Sequence, residues 1–203
     1  MSFALVGSAT GCTGGSAGPA TSATPSAVVT TPSAEPEPEP SGPQSSADLE
    51  LAPGRIGPVS VGANKDDAVA TGLFDADLVG DEPCDARLLE WKSQFTGVDV
   101  LTDDTGTIVS FGVGSADGPR TATGLGVGST FGELIESYGG DLSAPESAGY
   151  GQVGVYVQDG NDWLGFLFGD ATSVTQVNND PGFKVTFAEA TKMAQPALIR
   201  DGC

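Results

Sequence analysis

The 203-residue chain contains no histidine, two methionines, and eight basic residues against 27 acidic ones. Without histidine there is no Ser-His or Cys-His nucleophilic pair, no imidazole proton shuttle and none of the common zinc sites. The scarcity of Lys and Arg leaves no basic patch for phosphate backbones, and a formal charge of −19 opposes their approach. Nucleic acid is therefore excluded as a direct partner. No apolar run approaches the roughly 20 residues that cross a bilayer as a helix. The motifs Gly-x-Ser-x-Gly and Ser-x-x-Lys are absent from the folded part. No catalytic residue, metal or cofactor is expected, and an enzyme working with carboxylates alone is a remote alternative.

Cysteine is also scarce, and its three positions are informative. Cys12 follows a short apolar run, Phe3-Ala4-Leu5-Val6, and a string of small residues ending in Gly11. This arrangement resembles the end of a bacterial lipoprotein signal, which implies that Cys12 is lipidated and that the chain is exported to the outer face of the cell membrane. No basic residue precedes the apolar run, and the run is shorter than usual. Both features are expected if the signal begins further upstream. Cys84 and Cys203 then remain, and in an exported protein they are expected to form a disulfide. Closing a loop of that size stabilises by roughly 4–5 kcal/mol in the chain-entropy picture. The alternative is a pair of free thiols.

Residues 13–47 form a linker: 29 of the 35 are Ser, Thr, Ala, Pro or Gly, and Glu35-Pro36-Glu37-Pro38-Glu39-Pro40 is a stiff charged stretch. Such a segment has too little to bury to offset the entropy of ordering. As coil it spans about 30–35 Å, and up to roughly 100 Å if drawn out as polyproline II. A cysteine anchor followed by a disordered spacer is the layout of a surface-tethered lipoprotein.

Residues 48–203 carry 24 acids and all eight bases and are expected to fold. Two stretches within them share a pattern. Val59-Ser60-Val61-Gly62-Ala63-Asn64 and Leu125-Gly126-Val127-Gly128-Ser129-Thr130 both run apolar-x-Val-Gly-small-cap, with an acid (Asp67 or Glu133) three places after the cap. That spacing predicts two helix starts with capping boxes. Phe131, Leu134, Ile135 and Tyr138 then predict one apolar stripe on the second helix. Asp75–Asp85 reads as a polar loop; Arg87–Trp91 suits strand or helix, and the hairpin that follows favours strand. Gly97–Leu101 and Thr107–Val113 read as a hairpin around Asp103-Asp104-Thr105-Gly106. Gln152–Gln158 and Trp163–Phe168 make a second hairpin, with Ser173–Val177 as a third strand. Asn178–Gly182 reads as a turn, Phe183–Phe187 as a strand and Ala188–Ala194 as a short helix. The expected fold is α+β: a tandem repeat of short helix plus antiparallel meander, helices packed on one face, with repeats at about 55–118 and 119–182.

The Gly-small-cap-x-x-acid helix start followed by a meander, used twice, resembles the β-lactamase inhibitory protein and the outer-membrane assembly lipoproteins of similar repeat design. It resembles more closely a group of uncharacterised actinobacterial lipoproteins. The resemblance covers about residues 55–180; the usual Met after the glycine is Ala63 or Ser129 here. It implies a sheet that is presented to a protein partner, with no catalytic apparatus.

Other motifs carry less. Gly124-Leu125-Gly126-Val127-Gly128 lacks the third glycine of a dinucleotide loop, since Ser129 and Phe131 stand where it would fall. Asp103-Asp104 and Asn178-Asn179-Asp180 lack calcium-loop spacing and suit turns. On the second hairpin, alternation puts the valines on one face of the first strand, Gly154 and Tyr156 on the other. It likewise separates Leu164, Phe166 and Phe168 from Trp163, Gly165 and Leu167. Tyr156 and Trp163 are thus the candidate partner-binding residues on an open face, with core packing as the alternative. The partner expected is an envelope or secreted protein, or alternatively a small or lipidic molecule. With its native upstream sequence the protein should partition into detergent, and Cys12→Ser should move it to the aqueous phase. Equal partitioning of the two forms would disprove the anchor.

Overall fold

The computed structural model describes residues 42–78 and 87–198. Cys12, Cys84 and Cys203, and with them the expected anchor and bridge, lie outside the described residues. The described chain is mixed, with mostly antiparallel strands and few helices. Among the described residues no helix is long and apolar enough to cross a membrane.

The described chain is already packed ahead of residue 48. Ser46 is buried, with its hydroxyl donating to the Thr96 carbonyl at 2.8 Å, in a 3-10 turn over Ser46–Asp48. Three two-residue strands follow, β1 (Leu51–Ala52), β2 (Arg55–Ile56) and β3 (Val59–Ser60), and form a small antiparallel sheet. Helix α1 (Lys65–Ala70) leads into β4 (Phe74–Leu78), which pairs with β5 (Arg87–Trp91). The second half of the chain supplies most of a six-stranded antiparallel sheet. Its strands are β6 (Val98–Thr102), β7 (Ile108–Val113), β8 (Glu146–Gly149), β9 (Gln152–Asp159), β10 (Asp162–Phe168) and β11 (Phe187–Lys192). The spatial order is β6-β7-β11-β10-β9-β8. The β4–β5 pair runs beside β6 without joining this ladder.

The two glycine-cap segments meet the sheet in the same way. The Gly62 N–H donates to the Ile108 carbonyl and the Ile108 N–H to the Ala63 carbonyl, at 2.8 and 2.9 Å. The Gly128 N–H donates to the Val185 carbonyl and the Val185 N–H to the Ser129 carbonyl, both at 2.8 Å. Ile108 opens β7 and Val185 stands just ahead of β11, so each helix start is pinned to the approach of one central strand. Gly62 and Gly128 have φ of +92° and +91°. The nearest atoms to an added Cβ would be about van der Waals distance away, at 3.9 Å in both cases. The glycines are thus required by backbone conformation rather than by crowding.

Helix α2 (Phe131–Tyr138) begins with a full capping box: the Glu133 N–H donates to the Thr130 hydroxyl, and the Thr130 N–H donates to Glu133 Oε2 at 2.7 Å. The Thr130 N–H, and after it the Thr130 hydroxyl donating to the same oxygen at 3.1 Å, hold the Glu133 carboxyl below its ordinary pKa. At α1, Asn64 Oδ1 accepts from the Asp67 N–H, while Asp67 answers to the Asn64 side-chain amide at 2.6 Å. Aspartate is a methylene shorter than glutamate, which favours this closer partner.

The core is one large cluster in which Phe74, Trp91, Phe95 and Phe111 stack at ring separations of 4.1–5.8 Å. Phe131 meets Phe168 edge-on at 5.6 Å, and Tyr138 meets Phe166 at 6.2 Å. Phe131 and Leu134 are buried and Tyr138 half-buried, but Ile135 is 45 % exposed and leaves the predicted stripe. A side chain roughly 100° round from Leu134 falls at the solvent edge of a contact that only α2's narrow side makes.

Five other expectations change. Phe183–Phe187 is not a strand of its own: Lys184 makes an isolated bridge to Thr130 at the start of α2, and Phe187 opens β11. Phe74–Leu78 is a strand at the start of what reads as a polar loop, because β5 supplies its ladder. Ser173–Val177 is not a strand: Val174–Asn179 is helix α3, with Ser173 as its N-cap and Gln176 Oε1 accepting from the Thr172 N–H. Ser-x-x-Gln is a capping-box spacing in its own right. Asn178 and Asn179 accordingly belong to the helix, and the turn begins at Asp180. Ala188–Ala194 is not a helix: Phe187–Lys192 is a central strand whose Ala188 and Ala190 are fully buried. Their register partners are Phe166 and Phe111, so alanine makes room for a ring on each neighbouring strand. This strand also lies beyond residue 182, past the expected end of the second repeat.

Leu134→Ala should destabilise by about 2–5 kcal/mol. Thr130→Ala should cost about 0.5–2 kcal/mol, and Ile135→Ala less than Leu134→Ala. Denaturant melts of the three variants measure the order, and equal costs at 134 and 135 would contradict the packing described.

Candidate binding face of the sheet

One face of β9, β10 and β11 carries Val153, Val155, Val157, Leu164, Phe166 and Phe168 into the main core. The other face alternates as the sequence predicts. It displays Gly154 and Tyr156 on β9, Trp163, Gly165 and Leu167 on β10, and Phe187 and Glu189 on β11. Tyr156, Leu167, Phe187 and Leu198 form a second, separate apolar cluster, with Trp163 half-buried at its side.

This face is not open. After Lys192 the chain reverses at Met193, which has a φ of +68° and donates its N–H to the Asn161 carbonyl at 2.7 Å. The following segment, Ala194–Leu198, then lies across the strands. Leu198 is fully buried, and it sits where side chains are missing. A Cβ on Gly154 would stand 2.6 Å from Leu198 Cδ1, and one on Gly165 would stand 3.0 Å from Cδ2 and 3.1 Å from Pro196 Cβ. The two glycines therefore floor a socket, and Tyr156, Leu167 and Phe187 bound it. Tyr156, expected on an open face, is only 3 % exposed beneath this segment. The alternative reading of the sequence, that it packs in a core, describes its surroundings better.

Polar groups fix the segment. The Leu198 N–H donates to Glu189 Oε2 at 2.7 Å, and the Thr191 hydroxyl donates to the Ala194 carbonyl at 2.6 Å. The Gln195 side-chain amide donates to Glu146 Oε1 on β8. Burial pushes the Glu189 carboxyl above the usual carboxylate range, against the opposing effect of the Leu198 N–H and the Ser110 hydroxyl. Burial likewise raises the Tyr156 phenol.

A second concavity lies beside α2, an open depression of about 460 Å³ whose lining includes Arg120, Thr123, Gly128, Glu133 and Ser137. Two of its charged groups, Arg120 and Glu133, are committed to the fold. The Arg120 guanidinium donates to the carbonyls of Ala116, Gly124 and Val127 at 3.0, 3.0 and 3.3 Å. It thereby clamps the glycine-rich loop that superficially suits a dinucleotide. Glu133 is the helix cap already described. The acids considered for calcium serve turns instead. Asp103 accepts from the Thr105 hydroxyl and from the N–H groups of Thr105 and Thr107, which lowers its pKa. Asp180 accepts from the Gly182 N–H. Among the described residues no group of three or more acidic or cysteine side chains gathers at metal-binding distance.

Comparison with family models, with curated proteins and with solved structures finds no match. The sequence carried one readable trace of the socket: two lone glycines inside strands, the usual sign of a close approach by another part of the chain.

The raised Glu189 pKa fixes a pH dependence. A carboxyl that holds its proton more tightly when folded stabilises the fold at pH values below its unfolded pKa. That contribution is lost as pH rises through the folded pKa. Glu189→Gln keeps an acceptor for the Leu198 N–H but cannot titrate. Its stability relative to the wild type should therefore be higher at pH 7 than at pH 4, as thermal melts at the two pH values measure; a pH-independent difference would contradict the burial of this carboxyl.

Proposed function

We propose that this chain is a non-enzymatic lipoprotein, anchored through Cys12 to the outer face of the cell membrane, that presents a protein-interaction domain on a flexible tether. In this reading the folded part is a tandem α+β repeat with its helices on one face of the sheet, of the kind the sequence resemblance implies. The matched backbone pairs at Gly62 and Gly128 and the rings that α2 sets against β10 support it. The interacting surface is the opposite face of β9–β10–β11. The observation that carries this is the peptide-like segment Ala194–Leu198 lying there, with Leu198 in a glycine-floored socket and its N–H on Glu189. Side-chain sockets combined with acceptors for main-chain N–H groups are how protein surfaces take extended peptides.

A small or lipidic ligand is the second reading, and the depression beside α2 is what favours it. Apolar ligands are usually held in enclosed, mainly apolar cavities, whereas this one is open and bordered by charged side chains. The protein-partner reading is therefore preferred.

Photo-crosslinking from the intact anchored protein distinguishes the two. A photoreactive residue in place of Trp163 should crosslink to a protein of the envelope, and the same residue in place of Ile135, on the exposed side of α2, should not. Crosslinks at Trp163 to lipid only, or to nothing, would refute the proposal.

A further inference from the structure

We infer that the socket formed by Gly154 and Gly165 recognises an extended Pro-x-Leu peptide segment of a partner protein, and that Pro196-Ala197-Leu198 occupies it in cis as a competing strap. This rests on the outer face being the partner surface. Four observations lead to it.

The first is shape. The Cβ positions of Gly154 and Gly165 are taken by the strap and by the Tyr156 ring together: the Leu198 methyls and the Tyr156 ring lie against both, and Pro196 covers Gly165. The register pairs Gly165 with Tyr156 and Gly154 with Leu167, so the two glycines stand diagonally across β9 and β10, each flanked by a large apolar side chain. What the socket selects is thus a branched side chain two residues after a proline ring. The second is the polar contact. The strap presents one N–H to Glu189, a contact that reads main chain and is available to any peptide in the same pose. The third is attachment. The strap joins no ladder of the sheet; besides the Glu189 contact it is held through side chains, with the Thr191 hydroxyl on the Ala194 carbonyl and the Gln195 amide group on Glu146 and Tyr156. The fourth is conformation. Met193 and Leu198, which bracket the strap, are two of the three described non-glycine residues with positive φ, at +68° and +55°. Side-chain-bearing residues adopt that region at a cost. Met193 is also 73 % exposed, so its side chain does not obstruct a swing of the strap about the Met193–Asn161 main-chain bond. A partner segment that relaxes both positions replaces the strap contact for contact. The tethered strap competes at high effective concentration, which keeps the face closed until such a segment is delivered.

The test uses the full chain and a fluorescent hexapeptide, Met-Ala-Gln-Pro-Ala-Leu, copied from residues 193–198. Leu198→Ala empties the socket while leaving its walls intact. This variant should bind the peptide at least tenfold more tightly than the wild type does, and a peptide with alanine in the last position should lose at least tenfold. Gly165→Ala added to Leu198→Ala should abolish binding by refilling the floor. A folded Leu198→Ala variant that binds no better than wild type overturns the inference. If Leu198→Ala does not fold, the wild type carries the test: millimolar peptide should accelerate hydrogen exchange at the Leu198 amide, and unchanged exchange overturns it. Dimerisation of the wild type with loss of its own strap contact would assign the socket to a second copy and also overturn it. Crosslinking from position 163 to a protein, without peptide exchange, would remove the socket proposal and leave the partner surface standing.

Discussion

The antiparallel pairing of β7 with β11 is the interaction on which the rest of the structure depends. It runs from Ser110 opposite Thr191 to Val113 opposite Ala188, and it joins a strand of the first half to the last strand of the second. β6 extends it on one side, while β10, β9 and β8 extend it on the other. Each of the two strands is also approached by one glycine-cap segment, through reciprocal main-chain bonds at Ile108 and Val185. Pairing of strands about 80 residues apart closes a long loop, and the entropy of closure is offset only when buried side chains come with it. They do: Phe111, Val113, Ala188 and Ala190 are all essentially inaccessible to water.

Local and global preferences agree at α2 and disagree at β11. Thr130 and Glu133 specify a helix start independently of what surrounds it, and the ring contacts of Phe131 and Tyr138 then fix the helix against β10. The stretch Phe187–Lys192 has helix-forming residues at its centre, yet it is a strand. Its alanines are the only small apolar side chains on the central strand positions facing Phe111 and Phe166, and a bulkier residue would collide with the packed rings. Context decides strand formation more than intrinsic preference does.

The outer face shows how one exposed surface is managed. Tyr156, Leu167 and Phe187 would present an apolar patch to water, and the chain returns after β11 to cover them. The cover is built from side chains set into gaps in the sheet, with the partly buried Glu189 carboxyl receiving the Leu198 N–H. Burying that carboxylate is unfavourable, as its raised pKa records. An apolar residue at 189 would avoid the penalty but would leave the Leu198 N–H without this acceptor, and an unpaired buried donor is costly too.

The sequence by itself determined the short-range features: the two capped helix starts, the hairpins β6–β7 and β9–β10, and the alternation that sorts their side chains between faces. Each depends on residues within a few positions of one another, where spacing translates directly into geometry. The expected lipid anchor and the expected disulfide are readings of the sequence alone, and they rest on residues outside those described. The tertiary structure alone decided that Ala188–Lys192 is a central strand, that Ile135 faces solvent, that β4 finds a partner, and that Tyr156 lies under Leu198. All four depend on what another segment, distant in the chain, places alongside. Alternation shows which side chains share a face, but what covers that face is settled only by the path of the chain after it leaves the sheet.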